Sequence, residues 1–395
     1  MNAPKLRFKE FNDEWQKISL KNVFEYFSTN SLSREHLFDI GIIKNIHYGD
    51  IHRKYSSIVD VENEVETYIK DINYNNKYEY CKDSDLIFAD ASEDYEGIGK
   101  VIELDNIKCN TVSGLHTILA RDKQNVFAPM FKGYYFNSPS IHNQIRVLAN
   151  GFKVYGISKD SIDKLNVNIP EKKEQSKIAR TLYLLDKKIE LQSQKIEDLK
   201  LFKLYTKNQI FKDYDKVFKL KDILVKWNKK NKNNSVKYVE SISNKYGFIA
   251  QSDQFEDRNV ASKKLNNYYV IEKGVFGYNP SRLNVGSLAL KSNNNISVVS
   301  PLYECFTTNQ NNEYLLEWFN SKYFRKKTIS KFEGGVRNTL KFSNLCEIEI
   351  GLPSSEKQNK YANFFKIFNN KIEIETNKLN KLQGLKKGLM QNMFV

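Results

Sequence analysis

The sequence predicts an α+β protein: two mixed α/β globules separated by two long helices, with an internal repeat relating the halves. Three observations carry this prediction. A segment near the middle of the chain recurs near its end at a constant offset. Both copies carry a heptad stripe. The stretches before them share short alternating runs punctuated by Gly and Asn.

The repeat pairs "NIPEKKEQSKIARTLYLLDKKIE" (168–190) with "GLPSSEKQNKYANFFKIFNNKIE" (351–373). Pro170 and Pro353, Gln175 and Gln358, Lys188 and Lys371, Leu199 and Leu382, and Phe211 and Phe394 are all 183 residues apart. A gapless offset over about forty residues marks a duplication. Each copy opens on a proline, which can start a helix but not continue one. Ser355 with Gln358 reads as a capping box in the second copy. Apolar residues then alternate at gaps of four and three: Ile178, Leu182, Leu185, Ile189, Ile196, Leu199, and Tyr361, Phe365, Phe368, Ile372, Leu379, Leu382. This is a heptad seam. It breaks at one equivalent polar position, Gln192 and Glu375, as expected where register must be fixed. Two amphipathic helices on separate cores would show similar stripes, but the shared offset favours mutual packing.

The helices divide the chain into residues 1–168, 169–212, 213–351 and 352–395. The two globular segments open alike, with "WQKISLKNVFEYF" (15–27) and "VFKLKDILVKW" (217–227), and close alike, with "KLNVNIP" and "CEIEIGLP". Runs such as "DLIFADAS" (85–92) and "GVFGYNPS" (274–281) read as strands joined by loops. The tract "WNKKNKNNSVK" (227–237) reads as a solvated loop.

The chain has 40% hydrophobic and 13% aromatic residues, enough for two cores. Its start, "MNAPKLRFKEF", is charged, and Cys81, Cys109, Cys305 and Cys346 show no paired short spacing. The expectation is a cytoplasmic protein with reduced thiols and no zinc site. A net charge of +15 points to a polyanion, most simply nucleic acid. Abundant Lys, Asn, Ile and Tyr would also follow from AT-rich coding, so a non-catalytic coiled-coil scaffold is the alternative reading.

Catalytic motifs are lacking. "EGIGK" (96–100) is not spaced as a P-loop. "NPSR" (279–282) lacks the second proline and the aromatic of an amino-methyltransferase motif. Glu171 and Lys173 sit in a helical first turn, where acids serve the dipole. His36, His47, His52, His116 and His142 form no metal pattern, and His116 reads as a polar core or DNA-contact residue.

The repeated "P…EQ…IA…LD.KIE" helix, the opening "PKLRFKEFNDEW", "GLHTILAR" (114–121), "GFKVYGISKDSIDKLNVNIP" (151–170), "YNPSRLNVGSLAL" (278–290), "VVSPLYECF" (298–306) and "EGGVRNTLKFSNL" (333–345) together resemble the specificity subunit of type I restriction–modification systems. The resemblance spans essentially the whole chain. It implies that each globule is a target recognition domain for one half of a split duplex DNA sequence. It implies that the helices pair as an antiparallel coiled coil under a pseudo-two-fold repeat. Two methyltransferase subunits would dock on the halves with S-adenosylmethionine, and restriction subunits would bring ATP and magnesium. This chain would hold no cofactor and catalyse nothing. From Ile178 to Leu199 the seam would run roughly 32 Å, close to one DNA turn of about 34–36 Å, so the coil would act as a ruler.

Base edges need forked or bidentate groups, and phosphates need cations and amides. On that basis the candidate DNA contacts in the first globule are Lys44, His47, Tyr48, Arg53, Lys54, Ser92, Tyr95, Lys100, Lys153 and Tyr155. In the second globule they are Asn244, Lys245, Tyr246, Tyr278, Asn279, Ser281, Arg282 and Arg337.

Overall fold

A computed structural model describes residues 3–69, 78–151, 154–244, 246–251, 264–283, 286–332 and 339–395. The chain forms two compact units, Met1–Gln194 with Asn377–Val395, and Lys195–Thr376. Each long helix, Lys172–Ile210 and Ser355–Asn392, therefore begins in one unit and ends in the other.

In the first unit a five-stranded sheet runs Phe24–Phe27, Thr117–Asp122, Leu86–Ala89, Val101–Asp105, Ile58–Asp60. Its ladders are antiparallel except the last, which is parallel. Leu86–Ala89 is buried at every position, as a strand covered on both faces must be. A four-stranded sheet runs Thr111–Ser113, Ile43–Ile46, Tyr68–Ile69, Leu37–Phe38. Two helices, Phe131–Phe136 and Pro139–Leu148, contribute Phe131, Tyr134, Tyr135, Phe136, Ile141 and Ile145 to the main core, with Ile178, Leu182, Met393 and Phe394 of the long helices and tail. The start of one long helix thus shares a core with the end of the other, which makes them antiparallel here. Asp186 and Lys386 pair across them at 2.6 Å.

The second unit repeats the plan, with four strands in its main sheet among the described residues. Its sheet runs Leu224–Lys226, Glu304–Thr308, Phe276–Tyr278, Leu288–Leu290. Helices Asn312–Phe319 and Lys322–Thr328 fill its core with Tyr314, Leu315, Trp318, Phe319 and Phe324. Lys195 Nζ donates to Glu375 Oε1 at 2.9 Å, and the rings of Phe202 and Phe368 stack at 5.3 Å. Seven residues up one helix match seven down the other, so the pairing is antiparallel here too. Glu375, the polar break in the stripe, is buried in this seam.

Each globule is closed where it meets its helix. Gln16–Ile18 pairs antiparallel with Val167–Ile169, and Lys216–Lys219 with Glu349–Leu352. The equivalent glutamines then lock helix to globule identically. Gln175 Oε1 accepts from the Ala128 amide at 2.8 Å while its Nε2 donates to the Pro170 carbonyl at 2.9 Å. Gln358 does the same with the Asn311 amide at 3.1 Å and the Pro353 carbonyl at 3.0 Å. Ala128 and Asn311 are themselves 183 residues apart.

This corrects the capping-box reading. Gln358 is buried against the globule, and the cap is Ser354, whose Oγ accepts from the Lys357 amide at 3.4 Å. The Asn/Lys tract is the largely exposed loop its composition predicts, pinned at one point. Asn231 is buried, and its amide brackets Val236 through both N and O. The four cysteines are free thiols. Among the described residues no helix is long and apolar enough to cross a membrane, and no group of side chains could hold a metal ion.

Candidate nucleic-acid interface

The first unit brings two separated stretches into one cleft of about 540 Å³. It is lined by Arg34, His47, Tyr48, Asp50, His52, Arg53, Ser92, Glu93, Asp94, Gly97 and Lys100. Strand Ile43–Ile46 delivers the chain to His47, which caps the short helix Tyr48–Arg53 by accepting the Gly49 amide at 3.1 Å. Because Nδ1 accepts, the neutral ring carries its proton on Nε2. Burial holds the His47 pKa below the ordinary imidazole value, with Asp50 opposing and Arg34 assisting. Arg34 donates to Asp50 at 2.6 Å and walls the same cleft. His52 Nε2 meets the Ala91 carbonyl at 3.0 Å, tying the helix to the second stretch.

Tyr48 sits among three imidazoles, with ring centroids 4.6 Å from His47, 5.3 Å from His116 and 6.2 Å from His52. His116 Nδ1 lies 3.3 Å from an Asp90 carboxylate oxygen. His116, expected from the sequence as a polar core or DNA-contact residue, is exposed beside Tyr48. Arg34 and His52 also belong to the site, and no motif in the sequence marks either of them.

Several candidates have other duties. Lys44 is buried, its ammonium bonded to the carbonyls of Val61 at 2.8 Å and Glu62 at 2.7 Å, so it braces the fold rather than a phosphate. Lys100 donates to the carbonyls of His52 at 3.3 Å and Tyr55 at 3.0 Å. It thereby closes the C-terminal end of the short helix, and burial lowers its pKa. Ser92 is buried and staples its own loop, donating to the Asp94 carbonyl and accepting its amide. Lys54 is exposed, pairs with Glu66 at 2.7 Å, and lines a different concavity. Arg53 is exposed at the cleft. Tyr95, exposed, sets its ring 5.0 Å from that of Tyr155. This aromatic pair stands on the ladder joining Ala91–Ser92 to Tyr155–Gly156. Lys153 lies outside the described residues.

In the second unit Asn244 and Tyr246 are exposed at the tip of a hairpin formed by Glu240–Ser243 and Gly247–Ala250. Gly247 turns it with φ +69°. The hairpin base is pinned by a buried ion pair of Glu240 with Lys291, to which Ser297 also donates. Ser281 and Arg282 are exposed on a turn that Asn279 builds by accepting the Ser281 amide at 3.0 Å. Tyr278 is a correction. It is the centre of the core, with its hydroxyl donating to the Leu340 carbonyl at 3.1 Å, and cannot reach a base. Lys245 and Arg337 lie outside the described residues.

Two α/β units, each joined to a copy of one repeated helix by matching glutamine bonds and each presenting polar loops, define a class: a duplicated protein whose repeats keep the frame and vary the loops. The chain belongs to the family of type I restriction modification DNA specificity domains, whose model matches it twice, over residues 12–201 and 212–384. Among solved structures it is similar to a type I restriction-modification system S subunit from M. genitalium, with a TM-score of 0.60 and 15% identity over 100% of this chain and 99% of that one. It is also similar to a chain from a study of complex assembly and conformational transition of the type I R-M system, with a TM-score of 0.56 and 12% identity over 96% and 97%. At these identities the likeness is one of fold. No match was found among curated proteins.

Proposed function

We propose that each unit reads one half of a split duplex DNA sequence and that the paired helices set the distance between the half-sites. Two methyltransferase subunits dock on equivalent helix faces and bring S-adenosylmethionine. Restriction subunits add ATP and magnesium. The chain itself chooses the site and catalyses nothing.

The observation that carries this reading is the identical attachment of two diverged globules. Gln175 and Gln358 make matching bonds, whereas the surface groups beyond them differ: a histidine-lined cleft in one unit, a hairpin and a turn in the other. Same frame with different readers is what an asymmetric split target needs. Support for paired docking comes from the outer faces of the helices. Leu184 and Leu191 are exposed in the first unit and Ile367 and Ile374, 183 residues on, in the second. An apolar pair one heptad apart, repeated on each helix, fits two copies of one partner. The study behind one similar structure concerns assembly of a type I system, which is consistent with such a partner.

The test is exchange. Replacing residues 12–168 by the matching segment of a relative changes one half of the methylated motif and leaves the other intact. A methylome in which both halves change, or neither does, overturns modular reading. The purified chain given only S-adenosylmethionine leaves DNA unmethylated.

A further inference from the structure

The net charge is divided very unevenly. Residues 12–168 hold 18 Lys and Arg against 23 Asp and Glu, a net of −5. Residues 214–351 hold 22 against 13, a net of +9. The first globule, which has the cleft, is therefore acidic overall, and long-range attraction for a polyanion falls on the second.

Within the second globule the cations gather on one short element. Helix Lys322–Thr328 is capped by Ser321, which accepts the Phe324 amide, and buries Phe324 and Thr328 one turn apart. Lys322, Arg325 and Lys326 occupy the i, i+3, i+4 positions, a single face directed away from the buried one, and all three are exposed. Lys327 and Lys331 flank them beside a shallow notch shared with Lys219 and Glu347. No acidic residue occurs from 318 to 332. Among the described residues, none of these five cations forms an ion pair. Basic side chains do favour a helix C-terminus, but one or two serve that purpose, and Lys322 stands at the N-terminal end, where a cation is disfavoured. The corresponding helix of the first unit, Pro139–Leu148, places Pro139, His142 and Asn143 at the equivalent positions. The duplication has diverged here in charge while keeping the helix.

We propose that the face formed by Lys322, Arg325 and Lys326, with Lys327 and Lys331 beside it, binds the phosphodiester backbone of DNA without reading sequence. The second globule is thereby the electrostatic anchor of the protein, and the first contributes discrimination with little salt-dependent affinity. This inference rests on the DNA-reading role proposed above. Three unpaired charges on one helical face match phosphates as point charges, which need position but no fork geometry.

The experiment uses the full chain with its methyltransferase partner. Binding to a cognate duplex and to a random duplex is followed as a function of salt. In the triple variant Lys322→Gln, Arg325→Gln, Lys326→Gln, the slope of log K against log salt falls by about 2 to 3 on both duplexes, at about 0.9 per lost phosphate contact. The methylated motif is unchanged. The charge-preserving triple Lys322→Arg, Arg325→Lys, Lys326→Arg keeps the wild-type slope. Removing three exposed lysines of the first globule, Lys17, Lys21 and Lys123, each to Gln, shifts the slope by less than about 1. An unchanged slope in the first triple overturns the proposal, as does an equal fall in the control triple. Loss of partner co-purification with the slope intact assigns the face to a protein and also overturns it. A wild-type complex that does not prefer cognate DNA would instead sink the DNA-reading role itself.

Discussion

The Phe394 ring lies 5.9 Å from that of Phe131, and the Phe211 ring lies 5.6 Å from that of Tyr314. All four residues obey the 183-residue offset, so the end of each long helix seals the globule that the other helix begins from. Phe394 and Phe211 are both buried in their cores. Phe394→Ala should cost about 3–5 kcal/mol in the first unit and leave the second intact. Phe211→Ala should do the reverse. Hydrogen exchange resolved by peptide checks this. Equal loosening of both units by either variant would show that they do not fold as separate bodies.

Lys100 offers a test of position against charge. A free phosphate-binding lysine would contribute about one unit of salt slope. Here its ammonium is spent on two carbonyls at the end of a helix. Lys100→Ala should leave the slope unchanged and lower the stability of the first unit by about 1–3 kcal/mol, read by chemical denaturation. A slope reduced by one with stability unaltered would return Lys100 to the DNA surface.

The first unit should be acid-sensitive and the second should not, over the imidazole range. All five histidines lie in the first. Burial holds His47 and His142 below the unfolded value of about 6.5. His47 faces Asp50, Arg34 and His116, and His142 faces Arg146 and Glu96. Above pH 6.5 both rings are neutral whether folded or not. As pH falls below it, the unfolded chain takes up protons that the folded unit resists, and stability is lost until the folded pKa values are passed. Glu64, Asp90, Glu103 and Asp105, whose pKa values burial raises, act in the opposite sense as pH falls. The variant His47→Gln, His142→Gln isolates the imidazole contribution. Protection of residues 44–56 and 139–148, corrected for the intrinsic exchange rate at each pH, should fall from pH 7.5 to 5.5 in the wild type and much less in the variant. The same fall in both would remove these histidines from the account.

The helix pair can be tested as a ruler. Inserting one matched heptad near Gln192 and Glu375 keeps the apolar seam in phase and adds about 10 Å to each helix. At about 3.4 Å per base pair, the half-sites should separate by up to about 3 base pairs with their sequences unchanged. A four-residue insertion in one helix should slip the seam and damage assembly. Methylomes of cells carrying each variant with its partners read the result. An active heptad variant with the original spacer would show that the helices do not set the distance.

Much of the frame was legible because it is periodic. The heptad stripe, the polar break at Glu375 and the 183-residue offset are one-dimensional signals of packing, and Ile178, Leu182 and Phe365 are buried as the stripe requires. The site was less legible because residue type does not reveal where a side chain ends. Lys44 and Lys100 are cations whose heads the fold consumes, and Tyr278 is an aromatic whose hydroxyl only closes the core. Lys322, Arg325 and Lys326 share a face only once the segment is helical, so their grouping is hidden in the linear sequence. Gln175 is marked by the 183-residue offset, but nothing local in the sequence points to its partner, the amide of residue 128.

The division of the long helices also orders biosynthesis. The second unit is one continuous stretch, Lys195–Thr376, whereas the first needs residues 377–395 to complete its core. On the ribosome the later globule has all of its parts first. The earlier one must wait, its aromatic core open at Phe131 and Tyr135, until the final turns of the second helix emerge. The N-terminal globule, made first, is thus the last to bury its core. Loss of residues 377–395 would harm the domain farthest from them in the sequence.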